Sequence, residues 1–499
     1  MSSLPIQPEA SPRHPLAEVW TLAWPTIITM TSYTVMQFVD KLMVGQIGPT
    51  ELAAQGNGGI WAFAPLAFAM GALVVVNTYV SQHMGAARPD RVSRYLWGGL
   101  HISVVIWLCI LIPWALMLPW FFEFVVHAGH SIEGMDQLIE LESQYGQILL
   151  LGGLFTIGAR GVHQFFFGIM RPKVVTISVI AGNIVNVVLN YILIFGEPGL
   201  PVIGIPGVPG VPSLGVHGAA IGTVAGVFIE LMIPLIVFLG PGCHRAFASR
   251  TSWRPHWATI KELVRLGWPG SLVSGNEIVC WSIFMTVLVG LFGADSMTAG
   301  WIVLGYMHLS FMPAVAISFA ANTLVGNSIG AGTPDLAVAR ARWSVGLSVL
   351  IMTACSVLFI VLRGPMVELF IGGDVTEAEF NRILDIGMQL MLVMAVCQAM
   401  DALGITYGGA LRGAGDVIWP GFFVAISSWV LIIGFGYGLA VLFPEWGAVG
   451  PWIGAVAYIV IVGIGMTWRF ERGAWRSIRI ISDDEDEDED SSSMISADG

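Results

Sequence analysis

Apolar segments of about 20 residues or more follow one another along most of the chain, separated by short polar segments. A helix needs about 20 apolar residues to cross the roughly 30 Å of hydrocarbon in a bilayer. Soluble cores do not contain so many long apolar runs in a chain of 499 residues. We therefore predict twelve membrane-spanning helices, at residues 19–44, 53–83, 95–118, 144–168, 174–196, 218–239, 266–291, 299–326, 344–362, 383–407, 417–443 and 449–468.

The composition indicates the same class of protein. Hydrophobic residues make up 55% of the chain and charged residues 11%, whereas soluble domains carry about 25% charged residues. The 60 glycines would weaken helices in water, but small residues let helices approach closely inside a membrane. The predicted fold is an all-α integral membrane protein of about twelve transmembrane helices.

Lys and Arg residues concentrate in alternate connecting segments, which predicts the orientation of the chain. Basic residues of short loops are retained on the cytoplasmic side. If the N-terminus is cytoplasmic, nearly all of them fall inside, and only Arg363 and Arg382 fall clearly outside. Residues 123–142 hold five acidic residues and neither Lys nor Arg, as expected of an outer segment. We predict a multi-pass protein of the plasma membrane, the bacterial inner membrane, with both termini in the cytoplasm.

The two halves of the chain repeat each other. The segment VSQHMGAARPD at 80–90 recurs as VGNSIGAGTPD at 325–335, and LAWP at 22–25 recurs as LGWP at 266–269. GIMR and GALR, ending at Arg171 and Arg412, form a third pair, and residues 215–222 match 447–454. Six predicted helices lie in each half, so the halves run parallel in the membrane. Such repeats are typical of secondary transporters, which bind their cargo between two lobes.

The repeat and the polar segments predict the organisation of the chain. The acidic run at 483–490 lies beyond the last helix and is expected to be a solvated, disordered tail. It accounts for most of the net charge of −12, which therefore gives no reason to expect a nucleic-acid partner. The predicted parts are a cytoplasmic segment 1–17, an N-terminal lobe 18–240, a cytoplasmic linker 241–265, a C-terminal lobe 266–468 and a cytoplasmic acidic tail 469–499.

Two prolines occupy equivalent places in the repeat. Pro25 and Pro269 each lie near the cytoplasmic start of the first helix of their half. A proline inside a helix removes one backbone hydrogen bond and permits a bend. A proline in the first turn of a helix costs nothing. The sequence leaves both interpretations open.

Four carboxylates interrupt the apolar runs. A charge at the centre of a bilayer costs at least about 2.5 kcal/mol, so each is a candidate functional residue. Glu277 lies near the middle of the seventh helix, Asp401 in the tenth, and Asp40 in the outer part of the first. Asp40 could alternatively pair with the adjacent Lys41. Glu230, in the sixth helix, ranks below the other three because no matching motif supports it.

Three asparagines add uncharged polar groups to the fifth helix. Asn183, Asn186 and Asn190 are spaced by three and four residues, which places them on one helical face. Their amides could hydrogen-bond a neighbouring helix. Their oxygens could equally ligate a hard cation beside a carboxylate such as Asp40.

Motifs across residues 18–468 resemble the multidrug and toxic compound extrusion (MATE) family. The matching segments are FVDKLMVG in the first helix, VSQHMGAARPD after the second, NIVNVVLNYILIFG in the fifth, NEIVCWSIF in the seventh and DALGITYGGALRGAGD in the tenth. The resemblance implies a MATE-like fold of two six-helix lobes. It also implies a secondary active exporter that works by alternating access, without a cofactor.

The resemblance also implies roles for individual residues. Glu277 and Asp401 match the acids that bind the coupling cation, sodium in one bacterial branch, in the C-terminal lobe. Asp40, Asn186 and Asn190 match an acidic and amide cluster of the N-terminal lobe linked to proton or sodium coupling, and Asn183 lies on the same face. We therefore expect the protein to exchange sodium ions or protons for small, often aromatic organic cations. We also expect it to act as a monomer in the lipid bilayer.

Other functions fit the sequence less well. A lipid-linked oligosaccharide flippase of the same superfamily should present basic residues to anionic headgroups, but the intramembrane charges are mostly acidic, with Arg160 the main exception. An intramembrane protease is suggested only by GAGD at 413–416, beside Arg412. A passive channel would not need a buried acid in each lobe. We therefore expect a transporter and not an enzyme.

Overall fold

A computed structural model describes residues 14–126, 135–199, 206–371 and 376–481. Regular structure in these ranges is entirely helical. Residues 127–134 of the expected outer segment and the acidic run 483–490 lie outside the described residues.

Twelve helical spans, named α1 to α12, follow the order of the predicted apolar runs. Two consist of two helices each, α2 of Pro49–Leu73 and Val75–Gly85 and α4 of Met135–Leu151 and Gly153–Gly168, and α3, α7 and α11 contain π-helical segments. The other spans are α1 Pro15–Gly45, α3 Val92–Val125, α5 Pro172–Phe195, α6 Gly215–Leu239, α7 Trp257–Phe292, α8 Ala294–Gly330, α9 Pro334–Glu368, α10 Glu377–Gly413, α11 Ile418–Leu442 and α12 Val449–Glu471.

The lengths and apolarity of these helices confirm the predicted fold class. Ten are long and apolar enough to cross a membrane, and the two parts of α4, bent by 43°, make an eleventh span together. The 31 residues of α1 extend about 46 Å at 1.5 Å per residue, which exceeds the hydrocarbon thickness. The chain is a multi-pass, all-α membrane protein.

Several helices extend beyond their apolar runs. Helix α7 begins at Trp257, nine residues before the expected start, because the His256 ring caps it by accepting a hydrogen bond from the Thr259 backbone at 3.4 Å. Helix α10 begins with a capping box between Thr376 and Glu379. Such caps satisfy backbone donors that would otherwise remain unpaired at the start of a helix.

The two equivalent prolines lie inside their helices. Helix α1 starts at Pro15 and α7 at Trp257, so Pro25 and Pro269 are well past the first turn. The interpretation as first-turn prolines is therefore wrong. Each ring removes one backbone hydrogen bond from the helix interior. The Pro25 carbonyl in turn accepts hydrogen bonds from the hydroxyls of Thr29 and Thr176.

The spans pack as two halves, α1–α6 and α7–α12. In the N-terminal half the most extensive contact is between α5 and α6, and in the C-terminal half α10 packs against α8, α9 and α12. The halves meet through α1 on α8 and through α2 on both α7 and α8. The repeat relates α1 to α7 and α2 to α8. It therefore converts the contact of α1 with α8 into the contact of α7 with α2, as expected for an axis along the membrane normal.

Two hydrogen bonds cross between the halves in a reciprocal way. Thr78 Oγ1 donates to Asn322 Oδ1 at 3.3 Å, and Thr323 Oγ1 donates to Asn77 Oδ1 at 3.0 Å. The repeat offset of 245 residues converts Asn77 into Asn322 and Thr78 into Thr323. We call these the crossed Asn–Thr pairs. All four side chains are buried.

Glycines bring the same ends of α2 and α8 into backbone contact. A Cβ atom at Gly85 would overlap the Asn327 carbonyl, and one at Gly330 would overlap the Gln82 carbonyl. Gly85 and Gly330 are also equivalent in the repeat. The halves are therefore tightly closed against each other at the end that carries the basic segments.

An ion pair adds to this closed end. Arg340 Nε of α9 lies 2.8 Å from Glu18 Oε2 of α1, and Arg340 also donates to the Ser328 hydroxyl at 2.7 Å. Arg340 is 9% exposed, so its hydrogen bonds are shielded from water. Because α1 and α9 belong to different halves, this pair ties the halves together.

We expect Arg340→Gln to lower the thermal stability of the purified protein. Losing buried, charge-assisted hydrogen bonds costs about 1–3 kcal/mol. The matched control is Arg342→Gln on the same helix, which breaks an exposed pair with Glu471 of α12 and should change stability little. Thermal melts of both variants in detergent test this. Equal losses of stability would contradict a special role for the buried pair.

Candidate functional site

Asp40 is held inside the N-terminal half by the amides of α5. Asn190 Nδ2 donates to Asp40 Oδ1 at 2.7 Å and lies 3.5 Å from Asn186 Oδ1. Asn186 in turn reaches the Thr223 hydroxyl of α6 at 3.3 Å. Lys41 is exposed and makes no ion pair with Asp40 in the described part of the chain. The alternative of an Asp40–Lys41 pair is therefore wrong.

The Asp40 cluster keeps one unused acceptor. Asn190 Oδ1 is buried and has no hydrogen-bond partner among the described residues. Tyr145 of α4 lies near Asp40, and Gln55 of α2 lies near Tyr145. Such a group of oxygens can accept a proton held by Asp40 or can face a small cation.

Asn183 occupies a different level of α5. Its Nδ2 donates to the Ser32 hydroxyl at 2.5 Å, so it joins α5 to α1 without contacting Asp40. Of the three asparagines predicted to share a face, the structure brings only Asn186 and Asn190 to Asp40.

Glu277 of α7 and Asp401 of α10 lie in the C-terminal half. Glu277 is exposed, and Asp401 is half-buried. The two carboxylates are close enough to interact electrostatically, although they lie on α7 and α10, which make no extensive contact.

Arg412 and Tyr458 complete this group of polar side chains. Arg412 is a half-buried residue whose charge acts on Glu277, and its Nε has no hydrogen-bond partner in the described ranges. Tyr458 of α12 is buried and interacts with both acids. With both acids ionised, two negative charges and one positive charge leave the cluster at −1. One monovalent cation would bring it to neutrality.

Neither acid is committed to a fixed hydrogen bond. Within the described residues, no hydrogen bond or ion pair links Glu277 or Asp401 to another side chain. The neighbouring Asn276 instead donates to the Ser428 hydroxyl at 2.8 Å and accepts from Trp429 Nε1 at 2.8 Å. The carboxylates are therefore free to bind a ligand while the helix around them stays anchored.

The composition of these clusters bears on the kind of ion they can hold. Among the described residues, no group of three or more His, Cys, Asp and Glu side chains is arranged to hold a metal ion. Binding of a sodium ion between Glu277 and Asp401 would therefore need additional uncharged oxygen ligands. A proton needs only one carboxylate.

The sequence interpretation missed a partner of Glu230. His163 Nδ1 of α4 lies 3.6 Å from Glu230 Oε1, and the Tyr33 hydroxyl of α1 donates to the same oxygen. Both members of the His–Glu pair are buried. Arg160, one turn before His163, adds a positive charge that acts on the imidazole. The charged residues Arg160 and Glu230 were visible signals, but only the packing of α4 against α6 shows that His163 joins them.

Comparison with known proteins places the chain in a family. The model of the MatE family matches residues 25–192 and 276–437, which lie in the two halves and together make up more than half of the chain. These two ranges include Asp40, the asparagines of α5, Glu277 and Asp401, whereas Glu230 lies between them.

Similar proteins occur in several bacteria. The multidrug resistance protein NorM of Burkholderia vietnamiensis is 29% identical over 451 residues, 90% of this chain and 92% of NorM. The multidrug resistance protein MdtK of Edwardsiella ictaluri is 26% identical over 461 residues, 90% of this chain and 93% of MdtK.

Solved structures share the fold. A MOP superfamily transporter from Pyrococcus furiosus superimposes with a TM-score of 0.81 at 18% identity, covering 93% of this chain and 98% of that one. An outward-facing multidrug resistance MATE family transporter gives a TM-score of 0.80 at 18% identity, with the same coverage. The resemblance inferred from the motifs is confirmed: the chain belongs to the MatE family of membrane transporters.

Proposed function

We propose that this chain exports cationic organic compounds by antiport with protons or sodium ions, through alternating access of two six-helix lobes. Relatives that carry the name multidrug resistance protein match about nine-tenths of the chain, which supports multidrug efflux. The single observation that carries the antiport mechanism is the accessible pair of acids Glu277 and Asp401 in the C-terminal lobe, with Arg412 near Glu277.

The charge of this cluster provides a reason for coupling. When no coupling ion is bound, the net charge of −1 attracts a cationic compound. A bound proton or sodium ion removes that charge, and the attraction is lost. Because one negative charge cannot serve both ligands at once, the two compete and exchange. A ligand shifts a two-state equilibrium only through its different affinities for the two states, so the acids must be differently accessible in the inward and outward states.

The sign of the intramembrane charge favours cationic over anionic cargo. The four acids inside the apolar runs, Asp40, Glu230, Glu277 and Asp401, outnumber the basic residues Lys41, Arg160 and Arg412. The fold alone does not decide this, since the Pyrococcus furiosus protein is described as having a binding pocket of reverse polarity. The excess of acids argues against a lipid-linked oligosaccharide flippase.

Membership of a transporter family means that the chain is not an enzyme. The one protease-like motif is also held in a structural contact. Asp416 of GAGD is buried and pairs with Arg469 Nε at 2.7 Å. An aspartate committed to an arginine is not free to activate water. Coupling to an ion gradient requires no cofactor, and we propose that the exporter acts as a monomer.

Transport in proteoliposomes tests the function. Purified protein is reconstituted with a fluorescent planar organic cation such as ethidium, and sodium and pH gradients are imposed separately. We expect one of the two gradients to drive accumulation against the concentration gradient of ethidium. Equal rates with and without either gradient would exclude ion-coupled antiport. Accumulation of an anionic lipid-linked sugar instead would favour the flippase.

We further propose that the protein lies in the bacterial inner membrane with both termini in the cytoplasm, as the Lys and Arg distribution indicates. A cysteine at Gln137, which is exposed at the start of α4, should then react with a membrane-impermeant maleimide in intact cells. Cys109→Ser removes an exposed native thiol from the background. Reaction only after permeabilisation would reverse the topology.

A further inference from the structure

A buried cluster in the N-terminal half is separate from the Asp40 cluster. Helices α1, α4, α5 and α6 each supply one group: the Tyr33 hydroxyl, His163, the Ser178 hydroxyl and Glu230. Tyr33 and His163 both approach Glu230 Oε1, and His163 Nε2 lies 3.5 Å from Ser178 Oγ. Glu230 is 5% exposed and His163 is 3% exposed. A carboxylate and an imidazole are thus enclosed together between four helices.

The cluster lies deeper in the half than Asp40. Tyr33 precedes Asp40 by seven residues on α1, which is about 10 Å along the helix axis. The hydrogen bond between Asn183 and Ser32 joins α5 to α1 beside Tyr33. Polar side chains therefore continue from the Asp40 cluster down to Glu230, towards the end of α1 that is proposed to face the cytoplasm.

The internal repeat shows that the fold does not need this pair. The segments that end α4 and α10 are offset by 241 residues, which makes Gly404 the equivalent of His163. The segments that begin α6 and α12 are offset by 232 residues, which makes Val462 the equivalent of Glu230. A Cβ atom at Gly404 would lie 3.3 Å from Val462 Cγ1, so the equivalent helix contact exists without any charge. Apolar packing is sufficient at this place in the architecture.

Packing does not require this ionisable pair. The pair therefore indicates a site whose charge changes when a ligand binds. A lone buried carboxylate is costly, and a buried ion pair recovers that cost only with good geometry. Here the contact between His163 Nδ1 and Glu230 Oε1 is 3.6 Å, longer than a strong charge-assisted hydrogen bond. We therefore infer that stabilising the fold is not the main role of this pair.

The surrounding groups suit a proton better than a metal cation. The titratable groups that contact Glu230 are Tyr33 from α1 and His163 from α4; Arg160 of α4 acts on His163, and Ser178 of α5 contacts His163 through its hydroxyl. A sodium ion needs several oxygen ligands, but Glu230 is contacted by a hydroxyl donor and an imidazole. A proton needs only the carboxylate or the imidazole, each of which can take it.

We propose that Glu230, His163 and Tyr33 form a second proton-binding site of the N-terminal half, distinct from Asp40 and from the Glu277–Asp401 pair. A proton bound there resides either on the Glu230 carboxylate or on the His163 imidazole, with Tyr33 donating a hydrogen bond to the carboxylate. The role of this site in export rests on the proposed antiport, whereas its capacity to bind a proton does not.

Infrared spectroscopy tests proton binding without transport. The purified full-length protein in lipid nanodiscs is titrated between about pH 5 and about pH 9, the range in which histidine and perturbed carboxyl groups change charge. We expect the wild type to show a protonated carboxyl band that titrates in this range and is lost from the spectrum of Glu230→Gln. Identical titrations of wild type and variant would overturn the proposal.

A packing-matched variant separates proton binding from a structural role. His163→Gly with Glu230→Val reproduces the Gly404–Val462 contact of the other half. We expect this double variant to keep its melting behaviour, to lose the same carboxyl band, and to lose one step of the pH dependence of ethidium export. Retention of both the band and the wild-type pH profile would overturn the proposal.

The outcomes for the site and for the proposed function are distinguishable. If no ion gradient drives export by the wild type, antiport fails, and the infrared titration still decides whether Glu230 binds a proton. If an ion gradient drives export by the wild type but the infrared titration of Glu230→Gln equals that of the wild type, the proposed antiport is supported and the second proton-binding site is refuted.

Discussion

Glu277→Gln and Asp401→Asn are each expected to abolish ion-driven accumulation of substrate. Either substitution removes a charge from a cluster that carries only −1 in its ionised form, and so removes the attraction for a cation. The amide side chains keep the size of the acids, and neither acid makes a hydrogen bond within the described residues that the change would break. Accumulation in gradient-loaded proteoliposomes should fall at least about tenfold, equivalent to about 1.4 kcal/mol or more of lost coupling.

The control for this experiment is an acid of the same half outside the cluster. Glu445 lies exposed in the short turn Pro444–Trp446 between α11 and α12, so Glu445→Gln should export normally. Both test variants should also match the wild type in expression and melting temperature, because insertion of a neutral side chain is easier than that of a charge. Wild-type accumulation and ion dependence in Glu277→Gln and Asp401→Asn would refute the coupling mechanism.

The Asp40→Asn variant tests whether the N-terminal half also takes part in coupling ion movement to export. The amide oxygen can still accept the hydrogen bond from Asn190, so the packing of α1 on α5 should survive. Loss of transport would place a coupling ion in both halves. Normal transport would confine coupling to the Glu277–Asp401 pair.

Gly330→Val is expected to prevent closure of the basic end of the transporter. The valine side chain would overlap the Gln82 carbonyl of the opposite half, and a backbone group cannot move aside as a side chain can. Overpacking costs about 1–3 kcal/mol, which is enough to shift an open–closed equilibrium by about 5-fold to 150-fold. Export should fall accordingly, because alternating access needs the closed state.

Thiol accessibility reports the same change directly. A cysteine at Ser81, fully buried between the halves in this structure, should react with a cytoplasmic maleimide in the Gly330→Val background and remain protected otherwise. Gly346→Val is the matched control, because a Cβ atom at Gly346 on α9 meets no other atom within 4 Å. Normal protection of Ser81→Cys in the Gly330→Val protein would show that this contact does not hold the end closed.

The fold could be predicted from the sequence because lipid imposes a simple rule. A spanning helix must be apolar over about 20 residues, so the twelve predicted runs correspond in order to the twelve helical spans, eleven of which, with the two parts of α4 taken together, are long and apolar enough to cross a membrane. The ends were less predictable, since caps outside the membrane determine them. Residues 257–265 are polar enough to look like a loop, yet they form the first turns of α7. The interior positions of Pro25 and Pro269 follow from the same extensions.

The candidate sites were only partly visible in the sequence. Asp40, Asn186 and Asn190 could be associated because the amides repeat on one helical face, and the structure places them in contact. His163 could not be associated with Glu230, because they lie 67 residues apart on α4 and α6. Their contact depends on the way these helices pack, which no local spacing encodes. The signals available in the sequence were the charged residues Glu230 and Arg160 inside apolar runs, where a charge is costly.

The crossed Asn–Thr pairs have a consequence for the origin of the protein. Two equivalent contacts related by a two-fold axis are characteristic of an isologous interface. In such an interface both subunits contribute the same surface patch. One six-helix chain carrying a single asparagine and a single threonine would form both hydrogen bonds as a parallel homodimer. Gene duplication and fusion could thus join the halves without creating a new contact here, leaving each copy free to acquire its own charges, as Arg160 and its repeat equivalent Asp401 have done.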